Sequence, residues 1–103
     1  MISREDFLFT IGYDGSTAIV DGRAKRQYGG LSTMELAEKG LYRAAFSSAL
    51  WAAEAAEGAK DEGQMAAFIA FFNAKAGTSY SRAEELKRLF GVEVEKVTKV
   101  VLL

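Results

Sequence analysis

The densest chemistry-bearing cluster in the chain is Arg23, Lys25 and Arg26, followed by Gly29-Gly30 and then Ser32. Ser32-Thr33-Met34-Glu35 has the form of a capping box, which starts a helix just beyond the glycines. Free N–H groups at a helix start attract anions, and cations beside a flexible turn add to that field. Arg23, Lys25, Arg26, Gly30 and Ser32 are therefore the candidate anion-binding set, for a phosphate or a nucleotide. The spacing matches neither G-x-x-x-x-G-K-[ST] nor G-x-G-x-x-G, and a solvated basic loop explains the same residues.

A second group is acidic. Glu54, Glu57, Asp61 and Glu62 fall around one helix end and the loop after it, an arrangement that hard cations bind loosely. No histidine completes a Glu-x-x-His set, so a wet acidic corner is the reading and no metal ligand is assigned. Asp14 and Asp21 flank one extended segment, with nothing to pair them as acid and base. Tyr13, Tyr28, Tyr42 and Tyr80 suit half-buried amphipathic packing better than a pocket lining.

The chain has no histidine and no cysteine. Thiolate nucleophiles, Ser-His-Asp constellations, imidazole or thiolate zinc sites and disulfides are all excluded. No catalytic residue and no cofactor is assigned. Thirteen Lys and Arg against fourteen Asp and Glu leave a net charge of −1, which provides no basic field for a nucleic acid. The longest uncharged stretch, Gly63 to Ala74, is twelve residues where a bilayer crossing needs about twenty. The N-terminus lacks the long apolar run of a signal peptide, and the expected location is cytoplasmic.

The elements that carry these residues follow from periodicity. Phe7, Phe9, Ile11 and Tyr13 alternate onto one face, Asp14-Gly15 is a favoured two-residue turn, and Thr17-Ala18-Ile19-Val20 continues as a second strand. Residues 22–30 read as a polar surface loop with room for a short strand. Helices follow: one from Thr33, which Gly40 either stops or interrupts; one over 41–57, closed by Gly58; one over 62–76, started by Asp61 and Gln64 and ended by Gly77. Ser81-Arg82-Ala83-Glu84 opens a last helix through Phe90, with Gly91 after it. From Val92 the β-branched alternation reads as a strand that changes face near Lys96. A helix-turn-helix over 84–103 is the weaker alternative, because Lys87 stands where that motif wants a small residue. The expectation is one α+β domain over 1–103: an N-terminal hairpin, three to four central helices and a C-terminal strand, the small sheet mainly antiparallel with helices on one face.

The two middle helices are apolar on too many sides for a two-layer domain. At about 100° per residue, Met65, Phe68, Ile69 and Phe72 form a core face, yet the far side holds Ala66, Ala67, Ala70 and Ala74, and Phe71 lies almost opposite Ile69. In the 41–57 helix, Tyr42, Phe46, Leu50 and Ala53 make the stripe, and Trp51 lies opposite Tyr42 near Ala44 and Ala55. Either these helices stack on each other through alanine, or Trp51, Phe71, Ala44, Ala55 and Ala67 belong to a subunit interface, most simply a two-fold homodimer. The functional expectation is a non-enzymatic module that associates with itself or with a partner protein, the exposed C-terminal strand offering a second route through its edge. The alternative is a small-anion binder or regulator built on residues 22–30 and the Ser32 helix start.

Overall fold

The computed structural model describes residues 2–55, 61–92 and 97–103. Its first element is a helix where the alternation predicts a strand. Helix α1 (Arg4–Leu8) is capped by the Ser3 side chain, which accepts from the Asp6 amide, and Glu5 and Asp6 sit at its positive end. That cap and acidic first turn outweigh the four-residue alternation, and they place Phe7 and Leu8 together in the core.

Strand β1 (Thr10–Asp14) then pairs antiparallel with β2 (Thr17–Val20). Asp14 opposes Thr17, so the turn is Gly15-Ser16, one residue later than predicted, with Gly15 at φ +59 supplying the left-handed first position of a two-residue hairpin turn. Ile11 is an extra residue in the ladder between Thr10 and Gly12, and this bulge turns its side chain out to solvent.

Residues 22–30, expected as a loop, contain a helix. Asp21 caps α2 (Gly22–Tyr28) by accepting from the Arg23 and Ala24 amides at 3.1 Å, and the residues that follow are good helix formers. Helix α3 (Thr33–Glu38) has the predicted capping box, both bonds formed, and Gly40 at φ +79 stops the chain after two turns. Helix α4 (Tyr42–Leu50) continues into a π-helical turn, Trp51–Ala55. The predicted stop at Gly58, Glu57 and the face change at Lys96 lie outside the described residues. Asp61 accepts from the Gly63 amide at 2.8 Å and opens α5 (Gly63–Ala76), which Gly77 ends in the left-handed conformation. In α6 (Ala83–Phe90) the capping carboxylate is Glu85, one residue after the predicted Glu84: its Oε1 accepts from the Ser81 and Arg82 amides at 3.1 Å.

The last strand, β3 (Lys99–Leu102), pairs with β2 in parallel, giving the order β1-β2-β3 and a mixed sheet rather than a mainly antiparallel one. The helices between β2 and β3 form the crossover that a parallel pair requires. Ala18 and Val20 project into the core with no exposure, whereas Thr17 and Ile19 are half-buried on the other face.

The predicted excess of apolar surface on the middle helices resolves differently for the two. Helix α4 is the central element: Ala44 through Leu50 are buried without a break, with α1, α3, α5 and α6 around it. A helix apolar on all sides is a buried helix. Its Phe46 ring meets Phe68 of α5 and stacks at 5.4 Å on Phe90 of α6, and Phe72 packs edge-on to Phe90 at 5.5 Å. Helix α5 docks through Met65, Phe68 and Phe72 and leaves Ala66, Ala67, Ala70 and Ala74 exposed, so the helices do not stack through the alanine face of α5.

Candidate interaction surface

The large exposed apolar side chains among the described residues are Ile11, Leu89 and an unbroken run on and after β3: Val100 at 36%, Val101 at 47%, Leu102 at 56% and Leu103 at 70%. In β3 every residue is exposed. Register explains why. Side chains paired across a ladder share a face, so Val100 and Leu102 stand beside Ala18 and Val20 on the helical side, and Lys99 and Val101 beside Thr17 and Ile19 on the other. The helices cover β2 fully but stop short of β3, so the inward-facing valine and leucine of the edge strand remain uncovered.

The backbone of β3 is likewise half used. The amides of Lys99 and Leu103 donate to the Ser16 and Val20 carbonyls at 3.4 and 2.9 Å, so the odd-numbered residues turn their polar groups toward β2. Alternation sends the N–H and C=O of Val100 and Leu102 to the outer edge. Among the described residues nothing pairs with that edge. A strand with a free ladder and apolar side chains on both faces is a template for another strand.

The residues singled out from sequence as an interface are dispersed. Trp51 is half-buried with its ring 5.6 Å from Phe7, and Ala44 is buried in the core. Phe71 is half-buried beneath the Lys75 ammonium, 5.6 Å from its ring, and Ala67 is exposed on α5. Ala55 closes the π-helical turn at the edge of the described residues.

The anion-binding candidates are distributed over α2 and the start of α3. Arg23 and Arg26 are exposed on α2, while the Lys25 ammonium lies 2.6 Å from the Asp6 carboxylate and ties α2 to α1. Gly30 is exposed in the connection. The Ser32 hydroxyl and amide are engaged with Glu35, at 3.2 and 3.0 Å. Of the acidic group, Glu54 pairs with Lys87 at 3.0 Å and Asp61 holds the start of α5. No cluster among the described residues has three or more groups placed to hold a metal, and no described helix is long and apolar enough to cross a membrane.

The clear shifts in protonation arise at helix ends. The Ser32 amide, helped by its hydroxyl and by Lys39, holds the Glu35 carboxyl below the usual glutamate range. The Ser81 amide, then those of Arg82 and the Ser81 hydroxyl, do the same for Glu85. Burial lowers Arg43, whose guanidinium donates to the Phe90 carbonyl at 3.1 Å and reaches Gly91 at 3.5 Å, closing the negative end of α6. Among the described residues are two open grooves: one of about 450 Å³ between the π-helical turn, α5 and α6, with Glu54, Glu62, Glu84 and Lys87 in its lining, and a more apolar one of about 290 Å³ beside α2 and the start of α4.

One polar chain crosses the core that sequence reasoning did not find. The Arg4 Nη2 donates to Ser48 Oγ at 2.9 Å, Ser48 and Thr33 share a 2.8 Å bond, and Thr33 Oγ1 donates to Gln64 Oε1 at 2.6 Å. A guanidinium can only donate and an amide oxygen only accept, so the direction is fixed from end to end and Ser48 donates to Thr33. The chain joins α1, α4, α3 and α5. Its directly bonded members are up to 44 residues apart, and no local pattern connects them.

Compared with family models, curated proteins and solved structures, the chain matches none.

Proposed function

We propose that this protein is a non-enzymatic association module, and that it binds another protein chain, its own or a partner's, by strand addition to the outer edge of β3. The observation that carries this reading is the strand itself: Val100 to Leu103 exposed, with the Val100 and Leu102 backbone groups aimed away from β2. Main-chain hydrogen bonds supply affinity in this mode, and alternate side chains supply selectivity. Lys99 is the one charge in the strand and guards the edge against indiscriminate pairing. The opposite edge, on β1, is protected by the bulge at Ile11, which directs association to β3.

The test is amide exchange at Val100 and Leu102. Free, both amides exchange at the rate of unprotected chain; an occupied edge slows them. Measured from micromolar to millimolar protein, and again after addition of a cell extract, slowing confined to these two amides is the expected result. Unprotected rates under every condition would refute the proposal.

A further inference from the structure

We infer that the occupant of this edge is β3 of a second copy, paired antiparallel about a two-fold axis at Val101, so that two three-stranded sheets become one of six. This rests on the strand-addition reading above and names its partner. Three constraints select the register.

The first is the ladder. Only Val100 and Leu102 present backbone groups outward, so hydrogen-bonded pairs form only when even residues oppose even residues. The second is the face. In that same parity, residues on the helical side of one copy meet residues on the helical side of the other, so both helical layers lie on one side of a continuous sheet. Sliding by one residue breaks the hydrogen bonds and the faces together.

The third is side-chain chemistry, which separates the axis at Val101 from a neighbouring permitted axis at Val100. About Val101, Val100 opposes Leu102 of the second copy on the helical face and Val101 opposes itself on the other. The two Lys99 ammoniums then lie roughly 13 Å apart along the strands, beyond a Debye length of about 8 Å. About Val100, Leu102 opposes Thr98, and the lysines approach to about half that separation along the strands. The axis at Val101 therefore matches apolar with apolar and keeps like charges apart.

Self-pairing of this kind closes after two copies, whereas β3 on β1 of the next molecule would propagate without end. The area is modest. A few side chains already one-third to two-thirds exposed, with their backbone, bury less than the roughly 1,200 Å² of a standard interface, which places the pairing among small, transient contacts.

The absence of cysteine makes the register directly readable. Directly opposed Val101 residues form a non-hydrogen-bonded pair with Cα atoms about 4.5 Å apart, within disulfide reach. In the same register the two Val100 Cα atoms stand about 8 Å apart and cannot be bridged. Single variants Val101→Cys, Val100→Cys and Leu102→Cys are oxidised in a glutathione buffer and resolved on non-reducing gels, with sedimentation of the unmodified protein across concentration as an independent measure.

The expected result is a concentration-dependent dimer, with covalent dimer from Val101→Cys alone and from a mixture of Val100→Cys with Leu102→Cys. Covalent dimer from Val100→Cys and not from Val101→Cys overturns the register. A protein that stays monomeric and cross-links at none of the positions removes the second copy as occupant. Protection of the Val100 and Leu102 amides by extract would then leave strand addition by another protein standing, and its absence would remove both.

Discussion

Ser47 and Ser48 are neighbours on α4, both buried, and the structure assigns them opposite contributions. Ser48 Oγ accepts from Arg4 at 2.9 Å and donates to Thr33 at 2.8 Å. Ser47 Oγ is fully buried with no partner among the described groups. A neutral hydrogen bond contributes about 1 kcal/mol net, and one to a charged group about 1.5–3. The Arg4 Nη2 keeps its bond to the Leu31 carbonyl at 3.0 Å when Ser48 is truncated, so the loss lies toward the lower end of the combined range, about 2.5 kcal/mol. Alanine returns up to about 0.5 kcal/mol of helix propensity at either position. Ser48→Ala should therefore destabilise by about 2–2.5 kcal/mol, whereas Ser47→Ala, which also removes an unpaired buried hydroxyl, should be neutral or stabilise by up to about 1 kcal/mol. For a domain of this size the difference between the two variants is on the order of 10 °C in Tm. Urea unfolding with unchanged slope is the assay. Equal losses for the two serines would refute the assignment of the polar chain.

Other consequences are as direct. Phe68→Ala opens the centre of the aromatic cluster and should cost about 3–5 kcal/mol, while Phe71→Ala, three residues along and half-buried, should cost about 1 kcal/mol or less; chemical denaturation separates them. A Cβ on Gly22 would stand 2.8 Å from the Leu103 carbonyl oxygen, so Gly22→Ala should destabilise by about 1–3 kcal/mol and speed exchange of the Leu103 amide, which bonds Val20. Glu35 and Glu85 are held below the ordinary value, so the stability they contribute is present above that value and is lost as pH falls through their lowered folded values. Carboxyl titration by NMR should find both midpoints below that of an unperturbed glutamate, and Glu35→Gln should remove its share of the acid dependence.

Sequence punctuation identified most helix boundaries because those signals are local. Ser32 with Glu35, Gly77 and Gly91 each complete a hydrogen-bond pattern within a few residues and stand where the sequence reading places them, and of the two roles open to Gly40 the structure takes the stop. The differences at α1 and α2 are also local: Ser3 and Asp21 are capping residues, whereas the alternation at Phe7 to Tyr13 and the polarity of 22–30 point to strand and loop. What periodicity could not provide was coverage. A helix apolar all round reads the same whether its outer face meets a second subunit or its own chain, and α4 meets its own chain. The free edge of β3 was legible as a run of apolar residues on both faces, Val100 to Leu103, but its parallel direction depends on where the crossover delivers it. The Arg4 to Gln64 chain depends on four segments meeting and has no signature in any of them.

The seam between β2 and β3 joins residues as far apart as Ser16 and Thr98, a separation of 82. Closing a loop of that length costs roughly 3 kcal/mol of chain entropy beyond what a tight turn requires, and the side chains of the strand that closes it stay largely exposed. β3 is thus held by little side-chain burial, and its local opening should precede that of the buried helix α4. When it leaves, the Leu103 amide loses the Val20 carbonyl, so that amide should exchange faster than those inside α4.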